Sequence, residues 1–169
     1  WPFRRSTGRQ RKIFYGHKEK KPASGFWAFT LVLLALALSG YGMREALRVP
    51  PVREVRMQVP GLPDALNGFR IAQLSDLHIG PTFGKAWLTD VVARTDSLNP
   101  DLIVITGDVV DGSPSRLEED VAPLADLKAK YGVIFAPGNH EYYSGIQQWL
   151  PVFQRLGMHV LMNENTQIR

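Results

Sequence analysis

Cysteine is absent from the 169 residues. That excludes disulfide staples and thiolate metal sites, and it leaves the compartment open, because a chain of this length can bury a core without either. Charge is missing from one long stretch: no Asp, Glu, Lys or Arg occurs between Lys21 and Arg44. Histidine is scarce, with four in all, and only His159 follows Glu141. There is no internal repeat or low-complexity segment. Gly (15) and Pro (12) are not in excess, and 44% hydrophobic with 21% charged residues is a globular composition.

The positive charge sits at one end. Residues 1–25 hold Arg4, Arg5, Arg9, Arg11, Lys12, Lys18, Lys20 and Lys21 against Glu19 alone, whereas the remainder carries 12 basic and 15 acidic residues. A mildly acidic remainder argues against a nucleic-acid partner. The uncharged stretch, centred on 26–38, predicts a helix roughly 33 Å long, enough for a bilayer core of ~30 Å, and we place a transmembrane helix at 23–43. Two other readings fit such a stretch. One is the buried helix of a soluble protein. The other is a cleaved signal, for which Ala35-Leu36-Ala37 and Arg4-Arg5 speak, while the polar Ser6-Thr7-Gly8 and the long gap before the apolar run speak against it. With an uncleaved anchor, the positive-inside rule keeps the basic segment 1–22 in the cytoplasm and puts residues 44 onward outside, with Trp27 and Tyr41 as interfacial anchors. The basic segment, His17 included, reads as a solvated tail drawn to anionic lipid headgroups at ~1 kcal/mol per basic residue.

Residues 44–66 form a proline-stiffened connector in which Val55-Arg56-Met57-Gln58-Val59 alternates as an edge strand does. From Asn67 the pattern becomes strand, loop, helix, repeated over 67–169. Trp87, Leu88, Val91, Val92, Thr95 and Leu98 share one helical face that ends at Asn99-Pro100. Ser115 and Glu118 predict a capping box, with Pro123 disturbing the helix that follows; Ile146, Leu150, Phe153 and Leu156 predict a third helix carrying Pro151. Trp87 and Trp149 read as core. A βαβ succession implies a largely parallel sheet with covering helices.

Each of three apolar runs, 69–74, 102–105 and 133–136, is followed by ligand-type residues: Leu74-Ser75-Asp76-Leu77-His78, Thr106-Gly107-Asp108-Val109-Val110-Asp111 and Pro137-Gly138-Asn139-His140-Glu141. If the runs are neighbouring parallel strands, these residues converge in the crevice at the strands' C-terminal ends. Asp76 and His78, two apart in an extended segment, would point the same way. Gly107 lets the chain turn and aim Asp108, Asn139 offers an amide oxygen, and His140 offers an imidazole as ligand or proton donor. Mixed O and N donors suit Mn, Fe or Zn. Taken singly, Asp76 and Asp108 could equally hold turns; the three in succession favour a site. Asp111 is open between shaping its loop and orienting a histidine. Glu141, Tyr142 and Tyr143 are candidates for contacts behind the ligands or to substrate, and His159 is assigned to the core or a strand surface.

The order Asp-x-His, Gly-Asp-x-x-Asp, Gly-Asn-His-Glu resembles the calcineurin-like metallophosphoesterase superfamily, and the wording SDLHIG, TGDVVDG and GNHEYY is most similar to its membrane-associated bacterial members. The resemblance covers roughly 67–169. It implies the N-terminal half of an αββα sandwich preceded by one transmembrane helix. It also implies two divalent metal ions, with Asp76 and His78 on one, Asp108 bridging both, Asn139 on the second, and His140 as the catalytic proton donor. The expected activity is phosphodiester hydrolysis by metal-activated hydroxide at the cell (inner) membrane, with the catalytic domain extracytoplasmic and the substrate a phosphoester, lipid-linked species among the candidates. A phosphomonoesterase or nucleotidase, and a non-catalytic membrane binding protein, are the alternatives. The family completes its site with later histidine motifs that nothing after Glu141 matches, and the chain starts at Trp1. The expectation is therefore a piece open at both ends and inactive by itself.

Overall fold

The computed structural model describes residues 25–168; the basic segment expected at 1–22 and the first two residues of the expected 23–43 span lie outside them. The chain divides between Glu45 and Ala46 into two compact units. The helix α1, Gly25–Ala46, of 22 residues, belongs to the first up to Glu45. Leu and Ala dominate it, and Thr30 turns its hydroxyl back onto the Phe26 carbonyl at 2.9 Å, hiding its polar group within the helix. Among the described residues none of α1 is buried, and large side chains such as Phe29, Leu33 and Leu36 are exposed. By length and composition this helix is long and apolar enough to cross a membrane.

The second unit is a two-layer α/β body. Its strands β1 (Ile71–Leu74), β2 (Leu102–Ile105), β3 (Val133–Phe135) and β4 (Met158–Val160) form one sheet in the order β1-β2-β3-β4. All pairs are parallel, and Leu74, Ile105, Phe135 and Val160 lie in register at one end. Between the strands run α2 (Lys85–Asp96), α3 (Pro114–Val121) continued by a 3-10 turn at Ala122–Asp126, and the pair α4 (Asn139–Tyr143) and α5 (Ile146–Arg155). Each strand steps one place further in the same direction, so right-handed crossovers bring all the helices to one face. That face carries Ala72, Leu74, Ile103, Ile105, Val133, Phe135, Met158 and Val160, all in or against the core. The opposite face carries no helix among the described residues: Ile71 is 55% exposed and Gln73 and His159 are exposed, while Leu102 on the same face is buried. This one helix layer on one parallel sheet is half of the expected four-layer sandwich.

The core is closed by Leu88, Val91 and Val92 of α2, Leu117 and Val121 of α3, and Trp149, Val152 and Phe153 of α5. Each such side chain stabilises the fold by about 1.5–3 kcal/mol relative to exposure. Trp149 stacks on Phe153 at 5.2 Å while its Nε1–H donates to the Gly112 carbonyl at 2.9 Å, so its one polar atom is satisfied. As read from the sequence, the tryptophan is core.

Three local expectations need correction. Residues 55–59 form no strand, and Val55 and Met57 are 69% and 79% exposed. An edge strand exists only by pairing, and no strand among the described residues lies beside it. The capping box at Ser115 and Glu118 does not form: Pro114, with its fixed φ, opens α3 one residue earlier behind Ser113, and Glu118 instead receives a 2.7 Å hydrogen bond from Arg155. The short helix α4 was not anticipated. Pro123 falls in the 3-10 turn after α3, as the irregularity expected there, whereas α5 runs unbroken through Pro151, which lies on its exposed side.

Candidate metal centre

The site is built where β1, β2 and β3 end. Their ladder continues past the strands: Asp76 N–H donates to the Gly107 carbonyl at 3.2 Å, His78 N–H to Asp108 at 3.0 Å and Ile79 N–H to Val109 at 2.8 Å, while Asp111 N–H returns to Ile79 at 2.9 Å. Asp76, His78 and Asp108 all adopt left-handed backbone conformations, with φ of 56°, 46° and 52°. Each costs a non-glycine residue of the order of 1–2 kcal/mol. The extended geometry expected for Asp76-Leu77-His78 is therefore replaced by two left-handed turns, which tuck Leu77 into the core and still leave His78 Nε2 3.9 Å from Asp76 Oδ1.

Ligand atoms of His78, Asp108 and His140 lie within 4.8 Å of one another. The two imidazoles meet edge to face at 4.5 Å, and both Nδ1 atoms converge on Asp111 Oδ1, at 3.0 Å from His78 and 2.6 Å from His140. A carboxylate oxygen can only accept, so Nδ1–H faces Asp111 in each ring and Nε2 is the atom turned to other partners. His78 has its pKa raised, chiefly by the Asp111 hydrogen bond; partial burial opposes this, and the negative charges of Asp111, Asp108 and Asp76 reinforce it. Burial pushes the Asp111 carboxyl up, but the hydrogen bonds from His78 and His140 overcome it and hold the group below its usual range. Asp111, ambiguous in the sequence, is the residue that joins the two histidines.

Glu141, read from the sequence as a candidate for contacts behind the ligands, lies deeper than Asp76, His78, Asp108, Asn139 and His140. It is fully buried, and its carboxylate accepts four backbone N–H groups: Asp108 at 2.9 Å and Gly138 at 2.7 Å on Oε2, and Val109 at 2.6 Å and Val110 at 3.3 Å on Oε1. It occupies the third position of α4 and reaches back to the N-cap Gly138, half of a capping box. Nearby, His140 N–H donates to Asp108 Oδ1 at 2.9 Å. The two loops touch backbone to backbone: a Cβ on Gly107, whose φ is +82°, would lie 2.6 Å from Gly138 Cα, and a Cβ on Gly138 would lie 2.8 Å from Asp108 N.

Imidazole nitrogen and carboxylate oxygen donors in one cluster fit a divalent transition cation. A family model for calcineurin-like phosphoesterase matches residues 69–167. The chain belongs to this family. Among similar proteins are "Transmembrane protein with metallophosphoesterase domain" of Danio rerio, 37% identical over 153 residues (89% of this chain, 35% of that protein), and the protein of that name of Bos taurus, 38% identical over 138 residues (81% and 31%). An uncharacterized metallophosphoesterase of Campylobacter jejuni is 32% identical over 137 residues (80% and 36%). The chain thus spans about a third of the length of these curated relatives, which are animal as well as bacterial. No solved structure matches.

Of the site residues expected from the resemblance to the calcineurin-like phosphoesterases, His78, Asp108 and His140 come together as one group, with Asp76 beside His78. Asp76 is exposed and its Oδ2 accepts the Ser75 hydroxyl. Asn139 is exposed as the first residue of α4, next to His140. Tyr143 lies edge to face with His140 at 5.9 Å, and Tyr142 and Tyr143 are both exposed. His159 lies exposed on β4, opposite Ile134 in the register.

Proposed function

We propose that this chain carries the cation-binding part of a membrane-anchored phosphoesterase acting on a phosphodiester. The observation behind the reading is the group of His78, Asp108 and His140 within 4.8 Å at the ends of three consecutive parallel strands, in a chain of this family. Asp76, His78, Asp108 and Asn139 would hold two divalent cations, Asp108 shared between them. When bound, such cations neutralise phosphate oxygens and bring water to hydroxide near neutral pH. The chain itself supplies the proton. His140 Nε2–H, with Nδ1–H fixed on Asp111, donates to the leaving oxygen as the ester bond breaks, and the Asp111 carboxylate stabilises the imidazolium before transfer. His140 is partly exposed, which lets solvent return the proton.

The domain division we propose is a basic cytoplasmic segment at 1–22, a membrane span at 23–43, a connector at 44–66 and the phosphoesterase domain from 67. The apolar α1 and the animal relatives named as transmembrane proteins support the anchor. The basic charge before α1 supports an extracytoplasmic site, and a lipid-linked phosphodiester is then the substrate within reach. The test is hydrolysis of bis-para-nitrophenyl phosphate and of the mono ester by the full-length protein with Mn2+. Diester turnover that is lost in Asp108→Asn is expected. Turnover that survives Asp108→Asn, or none in the wild type at saturating Mn2+, refutes the reading.

A further inference from the structure

We propose that Glu141 is a positioning residue: its buried carboxylate locks the loop that carries Asp108 to the turn that carries His140, and so sets the affinity of the centre for its cation. The inference rests on the phosphoesterase reading only for the use to which that cation is put. Three successive N–H groups, of Asp108, Val109 and Val110, converge on Glu141, and the fourth comes from Gly138 in the other loop. Consecutive amides converging in this way make an anion-binding concavity, here formed around the left-handed Gly107 and Asp108 and filled by the chain's own carboxylate. Asp108 is thereby held from two directions, its N–H by Glu141 and its Oδ1 by the His140 N–H. Glu141 is fully buried and touches no reacting atom, so its effect passes through Asp108 and His140.

The side-chain chemistry is demanding. Glutamine keeps the shape but replaces one acceptor oxygen with an NH2 group that faces two N–H donors. Aspartate keeps both acceptors but retracts them by about one C–C bond. Outer residues that orient ligands typically change metal affinity or activity by about 10–100-fold.

The experiment uses metal-stripped full-length protein, with Glu141→Gln, Glu141→Asp and wild type titrated with Mn2+ by calorimetry, checked for folding by circular dichroism, and assayed across Mn2+ concentrations. We expect folded Glu141→Gln to bind Mn2+ at least about 10-fold more weakly, to give an altered Mn2+ EPR spectrum at saturation, and to regain part of its turnover when Mn2+ is raised. A lesion in folding alone would lower thermal stability and leave the affinity of the folded fraction unchanged. Wild-type Mn2+ affinity in folded Glu141→Gln overturns the proposal. Should that variant not fold, wild-type affinity in Glu141→Asp overturns it equally. Wild-type protein that binds Mn2+ without hydrolysing either ester refutes the phosphoesterase reading alone, and the affinity comparison still decides the role of Glu141.

Discussion

Gly138→Ala separates the two things a glycine can do at this site. The backbone at Gly138 has φ −96°, which any residue adopts, so alanine carries no conformational penalty there. The new Cβ would lie 2.8 Å from Asp108 N and 2.9 Å from Asp108 Cγ, and closer still to Asp108 Oδ1, whereas ordinary contact begins at 3.4 Å. The amide must therefore retreat by roughly 0.6 Å and the carboxylate oxygen by more, taking Asp108 away from Glu141 and from the cation position. Overpacking of this kind costs about 1–3 kcal/mol, or on the order of 5–10 °C in melting temperature for a body this size. A displacement approaching 1 Å at a reacting centre costs about 10²-fold in rate. The assay pairs thermal unfolding with bis-para-nitrophenyl phosphate turnover and Mn2+ titration at a temperature where the variant is folded. We expect turnover to fall about 100-fold while the fold survives. Wild-type turnover and Mn2+ affinity in Gly138→Ala would refute the claim that the close approach of these loops positions Asp108.

Three other outcomes follow from the geometry. In Asp111→Asn the charged oxygen shared by His78 and His140 is lost, so turnover should drop about 10–100-fold and the His78 ring, followed by NMR in metal-free protein, should titrate at lower pH than in wild type; an unmoved His78 titration would dismiss Asp111 as the cause of its shift. For metal-free protein the sign is fixed by the two shifts. His78 is raised, so its stabilisation is full below its usual 6.5 and fades as pH rises through the raised value; Asp111 is lowered, so its stabilisation is full above its usual 3.8 and fades as pH falls through the lowered one. Melting temperature should therefore fall as metal-free protein is taken above pH 6.5, and the gain on adding Mn2+ should grow over the same range, since a ligating histidine must be deprotonated; a Mn2+ gain that shrinks with pH would contradict this. Asp120 Oδ1 accepts Lys85 N–H at 3.1 Å and caps α2 from α3, so Asp120→Ala should cost about 1 kcal/mol in urea unfolding with turnover unchanged; loss of turnover in a folded variant would argue against a purely structural cap.

What the sequence made legible and what it hid divide along a physical line. The runs 102–105 and 133–136 announced strands because their residues are β-branched, aromatic or aliphatic without interruption, as strands of a parallel sheet covered by helices should be. The ligand types at their ends then placed the site. The edge strand read at 55–59 rested on alternation alone, and alternation describes a capacity to pair that only a neighbour can realise. The sequence named Glu141 as a candidate for contacts behind the ligands, but its full burial escaped, because frequency rules put glutamate at the surface and only the count of four converging N–H groups explains it. The helix α4 escaped with it: among Asn139, His140, Glu141, Tyr142 and Tyr143 the one buried side chain is the glutamate, so no apolar periodicity marks it.

The left-handed conformations at Asp76, His78 and Asp108 carry the same lesson to the backbone. Asp and His tolerate this region better than most residues but do not prefer it, and together the three oppose folding by several kcal/mol. They persist because each sits in a loop whose amides are already committed: Asp76 to Gly107, His78 to Asp108, Asp108 to Glu141. Relaxing any one would break a hydrogen bond between two segments of the site. The strain and the bonds that hold it fall on the residues we assign to the cation site. That fits a fold whose sheet and helix layer stabilise a rigid arrangement of ligands, and the cation then binds to an arrangement already in place.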